Sequence, residues 1–130
     1  MSTNQPLILI IDDDEAFSEI FGIKLSSAGF RVETASGGEE GIRKAKALKP
    51  NLILLDMRMP IMNGAETLVK IKDDPEAKDF RVVFITSLGT PWEETELFCN
   101  KISKECGAVG YIRKTENLDV FEDKVKTFLQ

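Results

Sequence analysis

Short apolar runs alternate along the chain with segments in which apolar residues recur every three or four positions. The runs predict buried strands at Leu7–Ile11, Leu52–Leu55, Val82–Ile85 and Val109–Ile112, and a more polar strand nearer the sheet edge at Arg31–Ala35. The segments that follow the runs predict five helices. Because strands separated by helices pair in parallel through right-handed crossovers, the pattern indicates an α/β fold whose sheet is covered on both faces.

The predicted helices share one feature, an apolar side that repeats at helical spacing. Their apolar positions are Phe17, Phe21, Leu25 and Ala28; Ile42, Ala45 and Leu48; Leu68 and Ile71; Leu97, Phe98, Ile102 and Cys106; and Leu118, Phe121, Val125 and Phe128. Turn residues mark the ends of three helices, with Gly29 after the first, Pro50 beyond the second and Gly107 after the fourth. The fourth predicted helix runs from Trp92 to Cys106.

Length and composition fit one globular domain. The chain has 130 residues, of which 42% are hydrophobic and 30% are charged, as is ordinary for a protein with one core. We expect a tail at residues 1–6, a core at 7–129 and no output domain. The net charge of −5 disfavours a nucleic-acid-binding surface. No apolar stretch approaches the roughly 20 residues that span a bilayer, and the N-terminus does not resemble a signal peptide, so we expect a cytoplasmic protein.

Two residue types limit the chemistry. The chain contains no histidine, so it lacks the commonest acid–base group and cannot carry a phosphohistidine itself. Cys99 and Cys106 are seven positions apart on one predicted helix, about two turns, which is too far for a disulfide between them. We interpret them as buried thiols in a reducing compartment.

Carboxylates collect at the ends of two predicted strands. Asp12 and Asp13 follow the first strand, and Asp56 follows the third. If these strands are parallel neighbours, the side chains meet at one edge of the sheet, where they repel each other unless a cation or a proton intervenes. Carboxylate oxygens are the ligands that hard divalent cations prefer. The pattern therefore predicts a magnesium-dependent phosphoryl site.

Two further strand ends add hydroxyl groups and an ammonium group. Thr86 and Ser87 follow the fourth strand, and Lys114 lies shortly after Tyr111 of the fifth. Phosphoryl transfer depends mostly on positioning and on neutralising the charge of the phosphoryl oxygens, and Mg²⁺, Thr86 and Lys114 can supply that neutralisation. Asp56 then attacks phosphorus and becomes an acyl phosphate.

Four segments together resemble the receiver domain of two-component response regulators. They are LILIIDDDEAF, LILLDMRMPIMNG, VVFITS and GYIRK, and the resemblance extends over nearly the whole chain, from about Leu7 to Leu129. It implies one doubly wound, flavodoxin-like (β/α)5 domain with five parallel strands in the order 2-1-3-4-5. It also implies a signalling protein that catalyses only its own phosphorylation and dephosphorylation, rather than an enzyme.

The resemblance implies a set of metal ligands around the phosphoacceptor, Asp56. Asp13 binds Mg²⁺ directly, Asp12 binds it mostly through water, and Asp56 and the backbone carbonyl of Arg58 complete the set; Mn²⁺ is a substitute for Mg²⁺. The Arg58 side chain has two interpretations. It either lies over the mouth of the site or faces solvent.

The resemblance also assigns the residues that hold the phosphoryl group and respond to it. The Thr86 hydroxyl, the Lys114 ammonium group and the backbone N–H groups of Arg58 and Ser87 hold the phosphoryl oxygens. Thr86 and Tyr111 form the switch, in which the aromatic ring moves inward when the threonine moves toward the phosphate. The alternative for Tyr111 is a half-buried edge residue that never switches.

Partners follow from the same resemblance. A sensor histidine kinase or a histidine phosphotransfer protein donates the phosphoryl group to Asp56. The face formed by the fourth helix, the fifth strand and the last helix then changes its preference for a downstream protein target. Neither nucleic acid nor a membrane is an expected direct partner, and phosphorylation-dependent homodimerisation stays open.

The chain departs from the family pattern in two places. Thr115 follows Lys114 where family members usually have a proline joined by a cis bond, and a cis bond before another residue costs roughly 3–4 kcal/mol. We therefore expect a trans Lys114–Thr115 bond, with Lys114 still directed toward Asp56. The segment between Thr86 and Lys114 is also longer than usual, which predicts an extended or displaced fourth helix.

Two other functions compete with phosphoryl acceptance. In a haloacid-dehalogenase-type phosphatase, Asp12 is the nucleophile and Asp14 the acid, but Ala16 replaces the expected Thr or Val and the segment around Asp56 has no role. The second alternative is a binding module that keeps the receiver fold without being phosphorylated. In the receiver interpretation, Asp14 only caps the first helix.

Overall fold

The structure, a computed structural model, describes residues 5–86 and 107–130. In these residues the chain forms one sheet of five parallel strands in the order β2-β1-β3-β4-β5. The elements follow one another as β1 (Leu7–Ile11), α1 (Glu15–Ser27), β2 (Arg31–Ala35), α2 (Gly38–Leu48), β3 (Leu52–Asp56), α3 (Gly64–Asp73), β4 (Val82–Thr86), β5 (Gly110–Arg113) and the C-terminal helix (Leu118–Leu129). The predicted fold class and strand order are confirmed.

Some predictions fall on residues 1–4 and 87–106, which lie outside the described part of the chain. They concern the fourth predicted helix from Trp92 to Cys106, its extension or displacement, the two thiols, and the role of Ser87. These stay predictions.

Four boundaries, on three strands, differ from the predicted ones by one residue. β3 and β4 continue to Asp56 and Thr86, and β5 begins and ends one residue later than the predicted Val109–Ile112. The reason is backbone pairing, because the parallel ladder aligns Asp56 with Ile85 and Thr86 with Arg113. Polar residues at the strand ends take part in that ladder, whereas an apolar pattern stops before them.

The sheet separates two apolar layers. Side chains alternate between its faces along each strand, as the two-residue period requires. One layer packs against α2 and α3 and contains Leu9, Ile11, Ile53, Leu55, Val82, Phe84, Leu68 and Ile71. The other packs against α1 and the C-terminal helix and contains Ile8, Ile10, Leu52, Leu54, Val83, Ile85, Phe17, Phe21, Leu25, Phe121 and Val125. Within residues 5–86 and 107–130, the helices lack the length and apolar content of a membrane span.

The first helix is capped by Asp14, as predicted. The residue has extended backbone angles, and its side chain accepts a hydrogen bond of 3.1 Å from the Phe17 backbone N–H. The Asp14 backbone N–H in turn donates to Asp12 Oδ1 at 2.9 Å. The end of β1 and the start of α1 are therefore joined by consecutive hydrogen bonds that pass through two aspartates.

Replacing this cap should destabilise the protein by a known route. Asp14→Ala removes the acceptor for the Phe17 N–H and should lower the free energy of unfolding by about 1 kcal/mol. Asp14→Asn keeps a capping oxygen and should stay within about 0.5 kcal/mol of the wild type. Urea denaturation of the two variants measures the difference, and equal losses would contradict the capping role.

Candidate functional site

Three carboxylates meet at the carboxyl edge of the sheet. Asp12 and Asp13 follow β1, Asp56 ends the neighbouring strand β3, and one oxygen from each lies within 4.8 Å of the others. Asp12 and Asp56 are 2% and 3% exposed, whereas Asp13 is exposed. Within the part of the chain that the structure describes, this is the one group of three or more acids, cysteines or histidines close enough to share a metal ion. The predicted meeting of these side chains is thus observed.

Asp12 is fixed from two directions. Its backbone N–H donates to the Ala35 carbonyl of β2 at 3.0 Å, and its Oδ1 accepts the Asp14 N–H. Its Oδ2 is buried and lies 2.6 Å from Lys114 Nζ, but outside hydrogen-bonding geometry, so that oxygen has an ion-pair partner and no hydrogen bond among the described residues. A buried carboxylate oxygen without a hydrogen bond can still bind a cation or accept a hydrogen bond.

Asp56 has less compensation for its charge. Its Oδ1 accepts the Arg58 backbone N–H at 3.2 Å, and its Oδ2 is 3.6 Å from Lys114 Nζ. Burial, and next the neighbouring Asp12, raise the pKa of Asp56 from 3.8 to about 7, against the opposing effects of Lys114 and the Arg58 N–H. At neutral pH without a bound cation, this carboxyl group therefore exchanges between its protonated and ionised forms.

Lys114 reaches the carboxylates from the end of β5. Its backbone N–H donates to the Thr86 carbonyl at 2.8 Å, and no peptide bond in the described residues is cis, so the predicted trans Lys114–Thr115 bond is confirmed. The side chain is only 12% exposed. The ammonium group is directed toward Asp56 as expected, but it lies 1 Å closer to Asp12, at 2.6 Å against 3.6 Å.

The ammonium group has a third neighbour that the sequence analysis counted only as a core residue. Lys114 Nζ lies over the Phe17 ring, 4.5 Å from its centroid, a distance at which a cation is attracted to the ring face. Phe17 sits in the first turn of α1, where the Asp14 cap holds its backbone. The helical spacing predicted that Phe17 is buried. It could not predict the contact with Lys114, because that contact depends on the path of the loop after β5.

The loop after Asp56 is shaped by short backbone contacts. The Met57 N–H donates to the Ile85 carbonyl and its carbonyl accepts the Gly64 N–H, both at 3.1 Å. A Cβ at Gly64 would collide with the Asp56 carbonyl oxygen and lie 2.8 Å from Met57 Cα. Ile61 has a φ of 69° and a fully exposed side chain, an unusual state for a β-branched residue. Only glycine at position 64 allows α3 to start this close to the phosphoacceptor candidate.

The remaining predicted residues occupy different environments. Thr86 is buried at 2% exposure, one position beyond the residue that pairs with Asp56. Tyr111 is half-buried and packs against the apolar layer on the side of α2 and α3. Arg58 is exposed, while its backbone N–H contacts Asp56. The structure thus places Thr86 beside the site and leaves Tyr111 partly outside the core.

The donor set fits a hard cation. Among residues 5–86 and 107–130, the site offers only oxygen atoms, two of its three carboxylates are buried, and Asp12 Oδ2 has no hydrogen bond. Oxygen ligands without nitrogen or sulfur select Mg²⁺, Mn²⁺ or Ca²⁺ over softer metals. A bound dication would also relieve the repulsion from Asp12 that adds to the effect of burial on the pKa of Asp56.

Comparison with known families identifies the chain. The model of the response regulator receiver domain matches residues 8–126. The chain belongs to this family. It is a receiver domain of the two-component type, and the Asp-x-Asp phosphatase alternative is set aside, in agreement with Asp14 serving as a helix cap.

Relatives of this receiver domain differ in total length. It is 32% identical over 125 residues to the DNA-binding dual master transcriptional regulator RpaA of Synechocystis, covering 96% of this chain and 49% of RpaA. It is 31% identical over 122 residues to sporulation initiation phosphotransferase F of Bacillus subtilis, covering 94% of this chain and 92% of that protein. The chain thus spans about half the length of RpaA and nearly all of the second relative.

Solved structures agree with the fold. The chemotaxis protein CheY4 of Vibrio cholerae superposes with a TM-score of 0.82 at 25% identity, covering 95% of this chain and 98% of that one. A CheY-like receiver domain protein from Methanospirillum hungatei superposes with a TM-score of 0.81 at 29% identity, covering 97% and 94%. The receiver fold is therefore shared along nearly the whole chain.

The close approach at Gly64 gives a direct test of the loop geometry. Gly64→Ala should lower the free energy of unfolding by about 2 kcal/mol or more, because the new Cβ meets backbone atoms that cannot move aside. Gly37→Ala is the matched control, since that glycine also lies at the N-terminus of a helix, has an extended φ of −168° and has open space around its Cβ position. It should cost less than about 1 kcal/mol. Chemical denaturation measures both, and similar losses would refute the close contact.

The raised pKa of Asp56 predicts a pH dependence of stability. Between about pH 4 and 7 the folded protein binds this proton while the unfolded chain releases it, so the free energy of unfolding falls as the pH rises through that window. Asp56→Asn removes the effect and should become more stable than the wild type by about 1–3 kcal/mol at pH 8, with little of this difference at pH 4.

Chemical denaturation of both proteins in EDTA from pH 4 to 8 measures this difference, in which the other acids cancel. Millimolar Mg²⁺ at pH 8 should reduce it by stabilising the ionised form in the wild type. A difference that does not change with pH would contradict the raised pKa that burial and the neighbouring Asp12 give Asp56.

Proposed function

We propose that this receiver domain accepts a phosphoryl group on Asp56 from a phosphohistidine of a sensor histidine kinase or a histidine phosphotransfer protein. The observation that carries the proposal is the buried Asp56 carboxylate beside Asp12 and Asp13, with the Lys114 ammonium group 3.6 Å away. The chain contains no histidine of its own. Its relative from Bacillus subtilis is named a phosphotransferase, which agrees with a place in a phosphorelay.

The side chains of Asp12, Asp13 and Asp56 and the backbone carbonyl of Arg58 would hold the Mg²⁺ ion that this family uses. When bound, the dication would neutralise negative charge on the phosphoryl oxygens and on the carboxylates around them. Asp13 suits direct coordination because it is exposed, whereas Asp12 is already engaged by Asp14 and Lys114. Mn²⁺ should support the same reaction.

The chemical step needs an ionised Asp56. One of its carboxylate oxygens attacks phosphorus as the phosphorus–nitrogen bond of the phosphohistidine breaks, and the imidazole nitrogen keeps that electron pair and takes up a proton. Lys114 and the Arg58 backbone N–H already contact the Asp56 oxygens, so they are placed to hold phosphoryl oxygens. The Thr86 hydroxyl and the Ser87 backbone N–H complete the set of donors that we propose.

The response to phosphorylation is proposed to pass through Thr86 and Tyr111. Thr86 ends β4 beside Asp56, and Tyr111 lies in β5, paired with Phe84. Movement of Thr86 toward the phosphate would let the half-buried ring of Tyr111 turn inward and change the face that a downstream protein binds. We expect this exchange in the cytoplasm, without direct contact to nucleic acid or membrane. Phosphorylation-dependent homodimerisation stays open.

Incubation with a small acyl phosphate tests the proposal. Acetyl phosphate and Mg²⁺ should add one phosphoryl group to the intact protein, and Asp56→Asn should add none, as read by intact-protein mass spectrometry. EDTA should abolish the mass gain. Asp13→Asn should slow it by about tenfold or more because it removes a ligand of the Mg²⁺ ion, and Lys114→Ala should do the same because it removes a compensating cation worth about 1.4 kcal/mol or more.

Asp14→Asn is the control for the acidic loop, because Asp14 caps α1 and keeps a capping oxygen after the change. Its labelling rate should stay within about twofold of the wild type. No mass gain in the wild type, with the fold intact, would favour the binding-module alternative and reject the proposed function.

A further inference from the structure

We infer that Phe17 is a positioning residue for the Lys114 ammonium group, which it holds beside both carboxylates through its ring face. The inference rests on the proposed function, since it concerns the site where Asp56 is phosphorylated. The ammonium group lies 2.6 Å from Asp12 Oδ2, 3.6 Å from Asp56 Oδ2 and 4.5 Å from the Phe17 ring centroid. The ammonium group thus has three neighbours, two carboxylates and the uncharged ring of Phe17.

Lys114 needs a third contact because its backbone alone does not fix the position of its ammonium group. The Lys114 N–H is bonded to Thr86, which sets the position of Cα, but four rotatable side-chain bonds separate Cα from the ammonium group. The next residue, Thr115, is exposed and does not restrict the backbone as a proline ring would. A side chain with this freedom can pair with either carboxylate or turn into solvent.

The ring is itself held rigidly. Phe17 stacks on Phe21 with centroids 4.2 Å apart, and Phe121 of the C-terminal helix meets both rings edge-on, at 6.0 Å and 4.3 Å. Edge-to-face and offset contacts of this kind are favourable in themselves. Phe17 is also 7% exposed and follows the Asp14 cap. The orientation of its face is therefore fixed before any phosphodonor arrives.

The arrangement also suits a site whose partners change. When a cation engages Asp12, Lys114 must favour the Asp56 side, where the phosphoryl group is to be received. A ring face attracts the ammonium group without a preferred hydrogen-bond direction, so Phe17 can remain its partner in both positions. A leucine at this place would fill similar space but would offer the cation no such attraction.

The test compares Phe17→Leu with Phe21→Leu. Phe21 is a matched control because it lies one turn along the same helix, belongs to the same ring cluster and is equally buried, at 8% against 7%. At saturating Mg²⁺, Phe17→Leu should slow labelling by acetyl phosphate about threefold to tenfold, the range expected from losing a partly desolvated cation–π contact. Phe21→Leu keeps the Phe17 ring, which Phe121 and the Asp14 cap still hold, and should change the rate less than twofold, although both variants lose core stability.

A second arm asks whether the effect passes through the lysine. In a Lys114→Ala background, adding Phe17→Leu should change the labelling rate less than twofold, because the ring no longer has a cation to hold. A full threefold to tenfold loss in that background would mean that Phe17 acts only through packing, and would overturn the inference. So would equal rates for Phe17→Leu and Phe21→Leu.

The third arm does not depend on phosphorylation. In the Mg²⁺-free wild type, the ring current of Phe17 should shift the Lys114 ε-methylene proton resonances upfield, and Phe17→Leu should return them toward ordinary lysine values while Phe21→Leu does not. Unshifted resonances in the wild type would overturn the inference without any variant. If the wild type shows the upfield shift but no labelling, the proposed function fails while the ring–lysine contact stands.

Discussion

Two carboxylates buried side by side are the constraint on which this site depends. Asp12 and Asp56 are nearly inaccessible and share the Lys114 ammonium group, which lies closer to Asp12. Like charges at this separation are unfavourable in a poorly solvated place. The protein tolerates them because backbone N–H groups donate hydrogen bonds to both carboxylates, and because a proton or a dication can relieve the remaining repulsion. The repulsion that destabilises the site therefore also favours the binding of a proton or a dication.

The sheet makes this arrangement possible. β1 and β3 are central strands with both faces covered, so their ends bring the two aspartates together without any freedom to separate. These strands are stabilised by burial in the two apolar layers, and that stabilisation is far larger than the repulsion between the two carboxylates. The unfavourable pair can therefore persist at the strand ends, where a less extensive core would yield by moving the loops apart.

Sequence patterns gave most of the fold because they depend on burial. Continuous apolar runs identify strands that are covered on both faces, and Gly29, which has a φ of 99°, ends α1 where the pattern predicted. The end of β5 was misplaced by one residue because Arg113 joins the ladder through its backbone, and Leu48, expected on the inner side of α2, is 38% exposed. A hydrophobic pattern alone does not show which residues pair through the backbone of the sheet, or which apolar residue at the end of a helix is exposed.

The convergence of Asp12, Asp13 and Asp56 was predictable from the sequence, but the pairings within the cluster were not. The position of the carboxylates at strand ends was enough to predict that they meet. The closer approach of Lys114 to Asp12 is a difference of 1 Å between two distances, and the contact of Lys114 with Phe17 depends on the path of a loop. Both are set by tertiary geometry, for which a single sequence carries no direct signal.

The hydrogen bond between the Lys114 N–H and the Thr86 carbonyl has a consequence for observing this protein. It joins the ends of β4 and β5 directly behind the acidic cluster, so the exchange of one amide proton with deuterated solvent reports on whether those strand ends stay together. Slow exchange would identify a closed ladder, and faster exchange would reveal the opening of the two ends at a single backbone position.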